Sequence, residues 1–430
     1  MTSDKTAPRA DDLAARAAAI DLAASALDHR GGLEEALERA PFAGLELRDR
    51  ALARMIAMTL LRRLGEIDRR LQAKLNKPPP EAVTWLLRLG AAQALYMDTP
   101  AFAAVDTTVR LAERDRATRP FKGLINAVLR GLVREPPTGE IDPEALAPDW
   151  LFARWRAAYG EDQARRIAAQ IVQEPATDLT PRDPADAALA EALHATALPG
   201  GSLRMNERGD VTAWPGYAEG RWWVQDAAAA IPARLLRVEA GETALDLCAA
   251  PGGKALQLAA AGARLVCVDR SGPRLRRLRQ ALERTGLQAE IVVADAAAWA
   301  DGRVFDAVLL DAPCSATGTF RRHPDVLWGT KPGDIAKLAM VQSRLLDAAA
   351  AKVAPGGRLV YCVCSLEPEE GEAQVRGFLA RHPEFRLGPI AAGEAGAPEG
   401  SVRPEGWLRI LPYQLDGGLD GFFAARLARV

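Results

Sequence analysis

The sequence predicts a multidomain chain: an all-α N-terminal domain, a small α/β middle segment and a C-terminal α/β domain on a parallel sheet. Three observations predict it. Apolar residues recur at helical spacing through the opening part of the chain, and Pro and Gly punctuate the stretch after it. From Gln225 onward, apolar runs of strand length alternate with helical stretches, which implies βαβ units and a sheet covered by helices. At about 100–200 residues per domain, the 430 residues make two to four domains, each able to bury a core.

Residues 10 to 134 read as helices. Leu52, Met55, Ile56 and Leu60, then Leu64, Ile67 and Leu71, form one stripe, and further stripes run through Val83–Leu89 and Leu124–Leu132. Gly31-Gly32, Pro78-Pro79-Pro80 and Pro100 should end helices, and Pro136-Pro137-Thr138-Gly139 reads as a linker. The middle segment, 145–222, opens with a helical stretch from Asp149 to Val172, in which Trp150 and Trp155 are packing residues. Pro181, Pro184 and Pro199-Gly200-Gly201 then suggest short strands and loops whose topology the weak periodicity leaves open. In the last domain, 223–430, the expected strands are Thr243–Leu247, Arg264–Val268, Glu290–Val293, Val304–Leu310 and Arg358–Val363. Ala255–Ala261, Arg274–Arg284 and Ile335–Val353 are the expected helices.

Composition narrows the function. With 55 Lys+Arg against 56 Asp+Glu and 49% hydrophobic residues, general disorder and a uniformly basic nucleic-acid coat are both excluded. The five cysteines, Cys248, Cys267, Cys314, Cys362 and Cys364, are odd in number and too sparse for a disulfide scaffold. A reducing compartment follows. The start, MTSDKTAPRADDL, has acids where a signal peptide needs an apolar run, and no stretch approaches the roughly 20 apolar residues of a membrane span. A soluble, cytoplasmic protein without membrane contact is expected, and a monomer.

Chemistry concentrates at three strand ends. Leu245-Asp246-Leu247 runs into Cys248-Ala249-Ala250-Pro251-Gly252-Gly253-Lys254 and then a helix. Small residues at such a turn let backbone approach a ligand, in the crevice where open α/β sheets bind. The spacing matches neither the dinucleotide GxGxxG nor the phosphate loop GxxxxGK[ST]. Asp269, Asp295 and Asp311 fall at successive strand ends. One such acid is usually a cap; three around one crevice favour a nucleoside-type ligand. Asp311-Ala312-Pro313-Cys314-Ser315-Ala316-Thr317-Gly318 and Tyr361-Cys362-Val363-Cys364-Ser365 each place a cysteine past the same edge. A thiolate there is a strong nucleophile. Cys248, Cys267 and Cys362 read instead as small hydrophobes. The Cys362/Cys364 pair could suggest a metal or disulfide, but four zinc ligands at standard spacing are missing and the histidines do not cluster, so no metal is expected.

CAAPGGK, DAPCSATG and the VCS end of LVYCVCS, in this order, resemble the Sun/RsmB-type RNA cytosine-carbon-5 methyltransferases. Asp420-Gly421-Phe422-Phe423 resembles that family's C-terminal signature, and the RRHPD run at 321–325 its bacterial ribosomal branch. Ala103-Ala104-Val105-Asp106 and Phe121–Arg130 resemble the NusB-like RNA-binding domain of that branch. The resemblance implies a NusB-like domain at 1–138, an RNA-contacting middle domain at 145–222 and a Rossmann-like class I methyltransferase domain at 223–430. It further implies S-adenosyl-L-methionine held by Cys248, Ala249, Ala250, Pro251, Gly252, Gly253, Lys254, Asp269, Arg274, Asp295 and Asp311. Cys364 would attack carbon 6 of a cytosine in RNA, most fittingly small-subunit ribosomal RNA, and Cys314 would assist release by β-elimination. Asp311 would also hydrogen-bond the ring nitrogen. Carbon 5 is a poor nucleophile and covalent addition at carbon 6 removes that obstacle; the base must be unstacked to react. Three departures stand out: Val363 replaces a threonine, Leu179–Asp183 lacks an asparagine-ended motif, and Leu411–Gln414 lacks a histidine.

Charge is unevenly distributed. Residues 48–77 hold nine Lys/Arg against three Asp/Glu, 110–134 seven against two, and 270–284 six against one. Such runs usually form solvated faces, but three near a cytosine-modifying site favour phosphate contact. Arg321, Arg322 and His323 are candidates to guide RNA into the crevice. Two rivals remain: a cytosine methyltransferase acting on DNA or tRNA, and a ribosome-assembly factor with a vestigial methyltransferase fold.

Overall fold

The helices of the N-terminal part follow from where its apolar residues sit. In the computed structural model, which describes residues 11–28, 32–139 and 141–430, Ile56, Leu60 and Ile67 are fully buried, as are Leu87, Ile125 and Leu129. They lie on helices Leu47–Arg62, Leu64–Gln72, Glu81–Tyr96 and Lys122–Arg134, which share one core with Asp11–Asp28. The expected breaks hold at two places: Pro78-Pro79-Pro80 precedes Glu81, and Pro100 caps Ala101–Arg114. Gly31, and the chain start read for a signal peptide up to Ala10, lie outside the described residues. Two stripe residues turn away from the core, since Met55 is 52% and Leu124 38% exposed.

The expected helix from Asp149 to Val172 is interrupted. Gly160, at φ +85°, separates Asp149–Tyr159 from Glu161–Ala169, a conformation that costs glycine little. Trp155 is buried and Trp150 half-buried. By compactness, the segment 145–222 is divided: everything up to Gln173 clusters with the N-terminal helices, and the remainder from Glu174 belongs to the second unit. His323–Gly329, although far along the chain, also clusters with the first unit. There the backbone N–H of Leu33 donates to Asp325 Oδ2 at 2.9 Å.

The second unit opens with four short strands, β1 (Asp178–Pro181), β2 (Ala195–Ala197), β3 (Leu203–Met205) and β4 (Trp222–Val224). They form an antiparallel sheet in the order β2-β3-β1-β4 over a core of Leu179, Leu189, Leu203 and Trp222.

The large sheet follows from eight further strands. β5 (Thr243–Leu247), β6 (Arg264–Asp269), β7 (Glu290–Val293), β8 (Phe305–Asp311) and β9 (Val353–Val363) pair in parallel, in the order β9-β8-β5-β6-β7. Ala307 and Leu309 face one apolar layer and Val308 and Leu310 the other, so β8 is apolar throughout, as a strand covered on both faces must be. The sheet is mixed rather than purely parallel. β10 (Phe385–Gly388), β11 (Leu408–Ile410) and β12 (Phe422–Arg429) extend it antiparallel, with β12 against β9. The long helix also ends earlier than expected, at Ala350, because Val353 already opens β9.

Candidate active site

β5 is the switch point of the sheet. β6 and β7 lie to one side of it and β8 and β9 to the other, which opens a crevice at its carboxyl end. The chain leaves β5 through Cys248 at φ +63° and turns at Gly252, φ +120°. A Cβ on Gly252 would stand 2.5 Å from Leu278 Cδ1, so the turn closes onto helix Gly272–Thr285 only because nothing projects there. Asp269, at the tip of β6, braces the turn: its Oδ2 accepts from the Ala250 N–H at 3.1 Å and its Oδ1 from Ser271 N–H at 2.8 Å. Arg274 braces it too, donating to the Ala250 carbonyl at 2.7 Å. Asp295, past β7, is exposed and accepts from the Ala297 N–H at 3.0 Å.

Lys254, in the first turn of helix Gly253–Ala260, reaches across to β8. Its Nζ donates to Asp311 Oδ2 at 2.7 Å and lies 5.0 Å from the centre of the Phe422 ring. Burial opposes its charge, yet the Asp311, Cys362 and Cys364 side chains hold its pKa above the usual lysine range. Behind this pair lies Asp246, fully buried, with no hydrogen-bond partner among the described residues for either carboxylate oxygen. Burial, then the charges of Asp311 and Asp269, push its carboxyl well above the usual range, against the pull of Lys254. In the sequence, Asp246 stands out only as part of a strand.

The two cysteine loops meet because their strands are neighbours in register. Asp311 on β8 stands opposite Cys362 on β9, so the chain just past each strand emerges at the same place. The Sγ atoms of Cys314 and Cys364 are 3.4 Å apart. Gly318 ties the loops: its N–H donates to the Cys364 carbonyl at 3.0 Å, and its carbonyl accepts from the Gly421 N–H at 2.8 Å. Hydrogen bonding to Cys364 and burial raise the Cys314 thiol well above its usual pKa, helped by the charge of Glu370. Burial likewise raises Cys267 and Cys362, and burial with Asp269 and Asp311 raises Cys248. Cys267 and Cys362 are buried in one apolar layer of the sheet and Cys248 packs against the other.

The expected RNA-guiding trio is taken apart by the structure. Arg321 is 1% exposed and donates to the Gly417 carbonyl. Arg322 pairs with the fully buried Asp420, its Nε 2.9 Å from Oδ2. His323 belongs to the other compact unit, where its Nε2 lies 3.9 Å from Glu34 Oε1. A basic run in the sequence does not distinguish a fully solvated face from an arginine tied to a buried acid; here Asp420, ninety-eight residues away, makes the difference. Sequence reasoning also misses Glu370, whose buried carboxylate accepts from residues of both cysteine loops.

Among the described residues, no group of three or more His, Cys, Asp and Glu is placed to hold a metal ion, and no helix is long and apolar enough to cross a membrane.

Residues 233–428 match the family model described as 16S rRNA methyltransferase RsmB/F, and residues 13–134 match the NusB family. The chain is 38% identical over 409 residues to the Ribosomal RNA small subunit methyltransferase B of Sodalis glossinidius, covering 90% of this chain and 91% of that one. It is 35% identical over 440 residues to the protein of the same name from Vibrio cholerae, covering 96% and 97%. Among solved structures, that of PH0851 superimposes with a TM-score of 0.78 at 25% identity, covering 99% of this chain and 100% of that one. A methyltransferase homologue from Pyrococcus horikoshii gives 0.57 at 25% identity, covering 66% and 95%. Identity at this level over nearly the whole length decides the matter: the chain belongs to the RsmB/F methyltransferase family and carries that family's methyltransferase domain behind a NusB-family domain.

Proposed function

We propose that the protein methylates carbon 5 of a cytosine in small-subunit ribosomal RNA, with S-adenosyl-L-methionine as donor, through a covalent adduct of Cys364. The observation that carries this reading is the approach of two thiols, 3.4 Å apart, at the carboxyl edge of the sheet beside Lys254 and Asp311. Methyl transfer to an exocyclic amine needs no cysteine, whereas transfer to carbon 5 needs a nucleophile at carbon 6.

The crevice suits the donor. The turn Cys248–Gly253 brings small side chains and backbone to the carboxyl end of β5, Asp269 ends β6, Asp295 follows β7, and Lys254 and Asp311 pair beside them. Asp246, a buried carboxylate without a partner, lies directly beneath and leaves capacity for a donor group above it. S-adenosyl-L-methionine bound there would supply an electrophilic methyl group. Arg274 also fits a cofactor-binding role, since it holds the Ala250 carbonyl of this turn.

In the proposed sequence, the Cys364 sulfur bonds to carbon 6 and the ring electrons move to carbon 5, where the methyl is accepted. Asp311 favours the addition through the ring nitrogen. Loss of the carbon-5 proton to solvent, a step that Cys314 assists, then re-forms the ring double bond and expels Cys364 as thiolate. The relatives' name supports ribosomal RNA as substrate, and the basic runs of the N-terminal helices supply phosphate contacts. A thiol nucleophile and a ribosomal substrate both suit a cytoplasmic protein, which acts as a monomer.

The test is a pair of variants. Cys364→Ala abolishes methyl transfer to unmodified small-subunit RNA, and Cys314→Ala accumulates a protein–RNA adduct that survives denaturing electrophoresis. An active Cys364→Ala protein would overturn the nucleophile assignment. Bisulfite mapping of the product identifies the base.

A further inference from the structure

Resting on that reading of the two cysteines, we propose that Glu370 is a positioning residue: it locks the two cysteine-bearing loops to each other and keeps negative charge off Cys314. Glu370 is fully buried. Its Oε1 accepts from the Ser315 N–H at 2.9 Å and from Gln342 Nε2 at 3.0 Å. Its Oε2 accepts from the hydroxyls of Ser315 and Ser365, both at 2.5 Å. Ser315 follows Cys314 and Ser365 follows Cys364, so one carboxylate grips the residue next to each thiol.

The grip is reinforced around its edge. Gln342 also donates to the Pro313 carbonyl at 2.9 Å, and the Tyr361 hydroxyl donates to the Glu370 carbonyl at 2.5 Å. The hydroxyls of Ser315 and Ser365 lie 3.2 Å apart. The groups that donate to the carboxylate, an amide N–H, a side-chain amide and two hydroxyls, are all neutral. A glutamine would keep the size but offer one acceptor oxygen in place of two, and burying a charge is costly. The carboxylate also brings negative charge near Cys314, which adds to the raised Cys314 pKa after hydrogen bonding to Cys364 and burial. Two thiols in contact must not compete as nucleophiles, because an adduct through the wrong sulfur cannot lead to transfer. Glu370 adds to the penalty on the anion at Cys314 and ties the residue after each thiol to one carboxylate.

The decisive experiment replaces Glu370 by Gln, which keeps the volume and removes the charge. Iodoacetamide alkylation of each cysteine, assigned by peptide mass across the neutral and alkaline range, reads the thiols without any RNA. In E370Q, alkylation of Cys314 near neutral pH accelerates about threefold to tenfold and its profile moves to lower pH, the direction expected when a neighbouring anion is removed. Methyl transfer falls at least about tenfold while the melting temperature and cofactor affinity hold. A Cys314 profile that stays in place overturns the proposal, whatever happens to activity, because a merely structural role would lower activity without moving it. Should E370Q not fold, S365A removes one donor and keeps the carboxylate: methyl transfer must fall while the Cys314 profile stays, and unchanged transfer overturns the clamp. Absence of 5-methylcytosine with the wild-type protein counts against the proposed reaction instead, and leaves the alkylation profile to decide the role of Glu370.

Discussion

Lys254 Nζ lies 2.7 Å from Asp311 Oδ2, and this ion pair joins the turn after β5 to the end of β8. The two side chains are 10% and 31% exposed, and the partnerless carboxylate of Asp246 lies behind them. The lysine is therefore the cation of a site otherwise rich in acids. Lys254→Met keeps the apolar stem that covers Phe422 but leaves Asp311 and Asp246 facing each other without compensation. Removing one member of a half-buried pair costs about 2–3 kcal/mol, since the remaining charge stays in place. Urea unfolding of the methyltransferase unit reads that loss, and calorimetric titration with S-adenosyl-L-methionine reads an affinity at least about tenfold weaker. Unchanged stability would show that Asp311 finds water instead.

Gly318 makes a second prediction. A Cβ at this position would lie 2.0 Å from the Gly421 carbonyl oxygen and 3.0 Å from that of Cys364. Both are backbone atoms, which cannot swing aside as a flexible side chain would. Gly318→Ala forces the Cys314 and Cys364 loops apart, and overpacking of this kind costs about 1–3 kcal/mol. Because the Cys364 carbonyl is crowded along with that of Gly421, activity suffers more than stability: methyl transfer falls by about a hundredfold, a loss of the size expected when a reacting group is misplaced by about an ångström. A single-turnover assay beside a melting curve separates the two effects.

The sequence carried the parallel half of the sheet because its central strands, β5, β6 and β8, are largely buried on both faces and read as apolar runs, while the edge strand β7 is half-exposed. It did not carry β10, β11 and β12, which are short or interrupted, as in Trp407-Leu408-Arg409-Ile410, where Arg409 is wholly buried. Arg409 Nε and NH2 pair with Glu372 at 3.0 and 2.6 Å, a match across thirty-seven positions that no local pattern reveals. The same limit governs the site. Cys314, Cys364 and Asp311 were legible from motif and strand-end position alone. Glu370 was not, because a glutamate in Glu367-Pro368-Glu369-Glu370 reads as a solvated run until folding closes the two serines over it.

Arg322 separates a structural from an RNA-binding role. Its guanidinium is bonded to Asp420, whose N–H in turn donates to the buried Asp226 at 3.1 Å. Arg322→Ala leaves two buried carboxylates close together with their nearest cation removed, and burial with the Asp420 charge already raises Asp226. We expect about 2 kcal/mol of destabilisation, allowing for the partly exposed guanidinium. The salt dependence of RNA binding by the folded variant stays as in wild type. A slope reduced by about one, as loss of a phosphate contact requires, would return Arg322 to the RNA surface.

Asp246 sets a pH dependence whose sign follows from its burial. Its folded-state pKa is raised above the ordinary 3.8, so the folded form holds a proton that the unfolded form releases. Stability from this group is complete below the ordinary value and is lost as pH rises toward the raised one. A tenfold difference in proton affinity between the two forms corresponds to about 1.4 kcal/mol. Asp246→Asn keeps the shape, stays neutral and removes the titration. The unliganded variant therefore unfolds at higher urea than wild type at neutral pH, and the two converge near pH 4. If the difference instead grew as pH fell, Asp246 would be a stabilised anion. Gain of stability comes with loss of affinity for S-adenosyl-L-methionine, because a carboxylate kept unpartnered in the apo crevice is held ready for a ligand, and the asparagine is not.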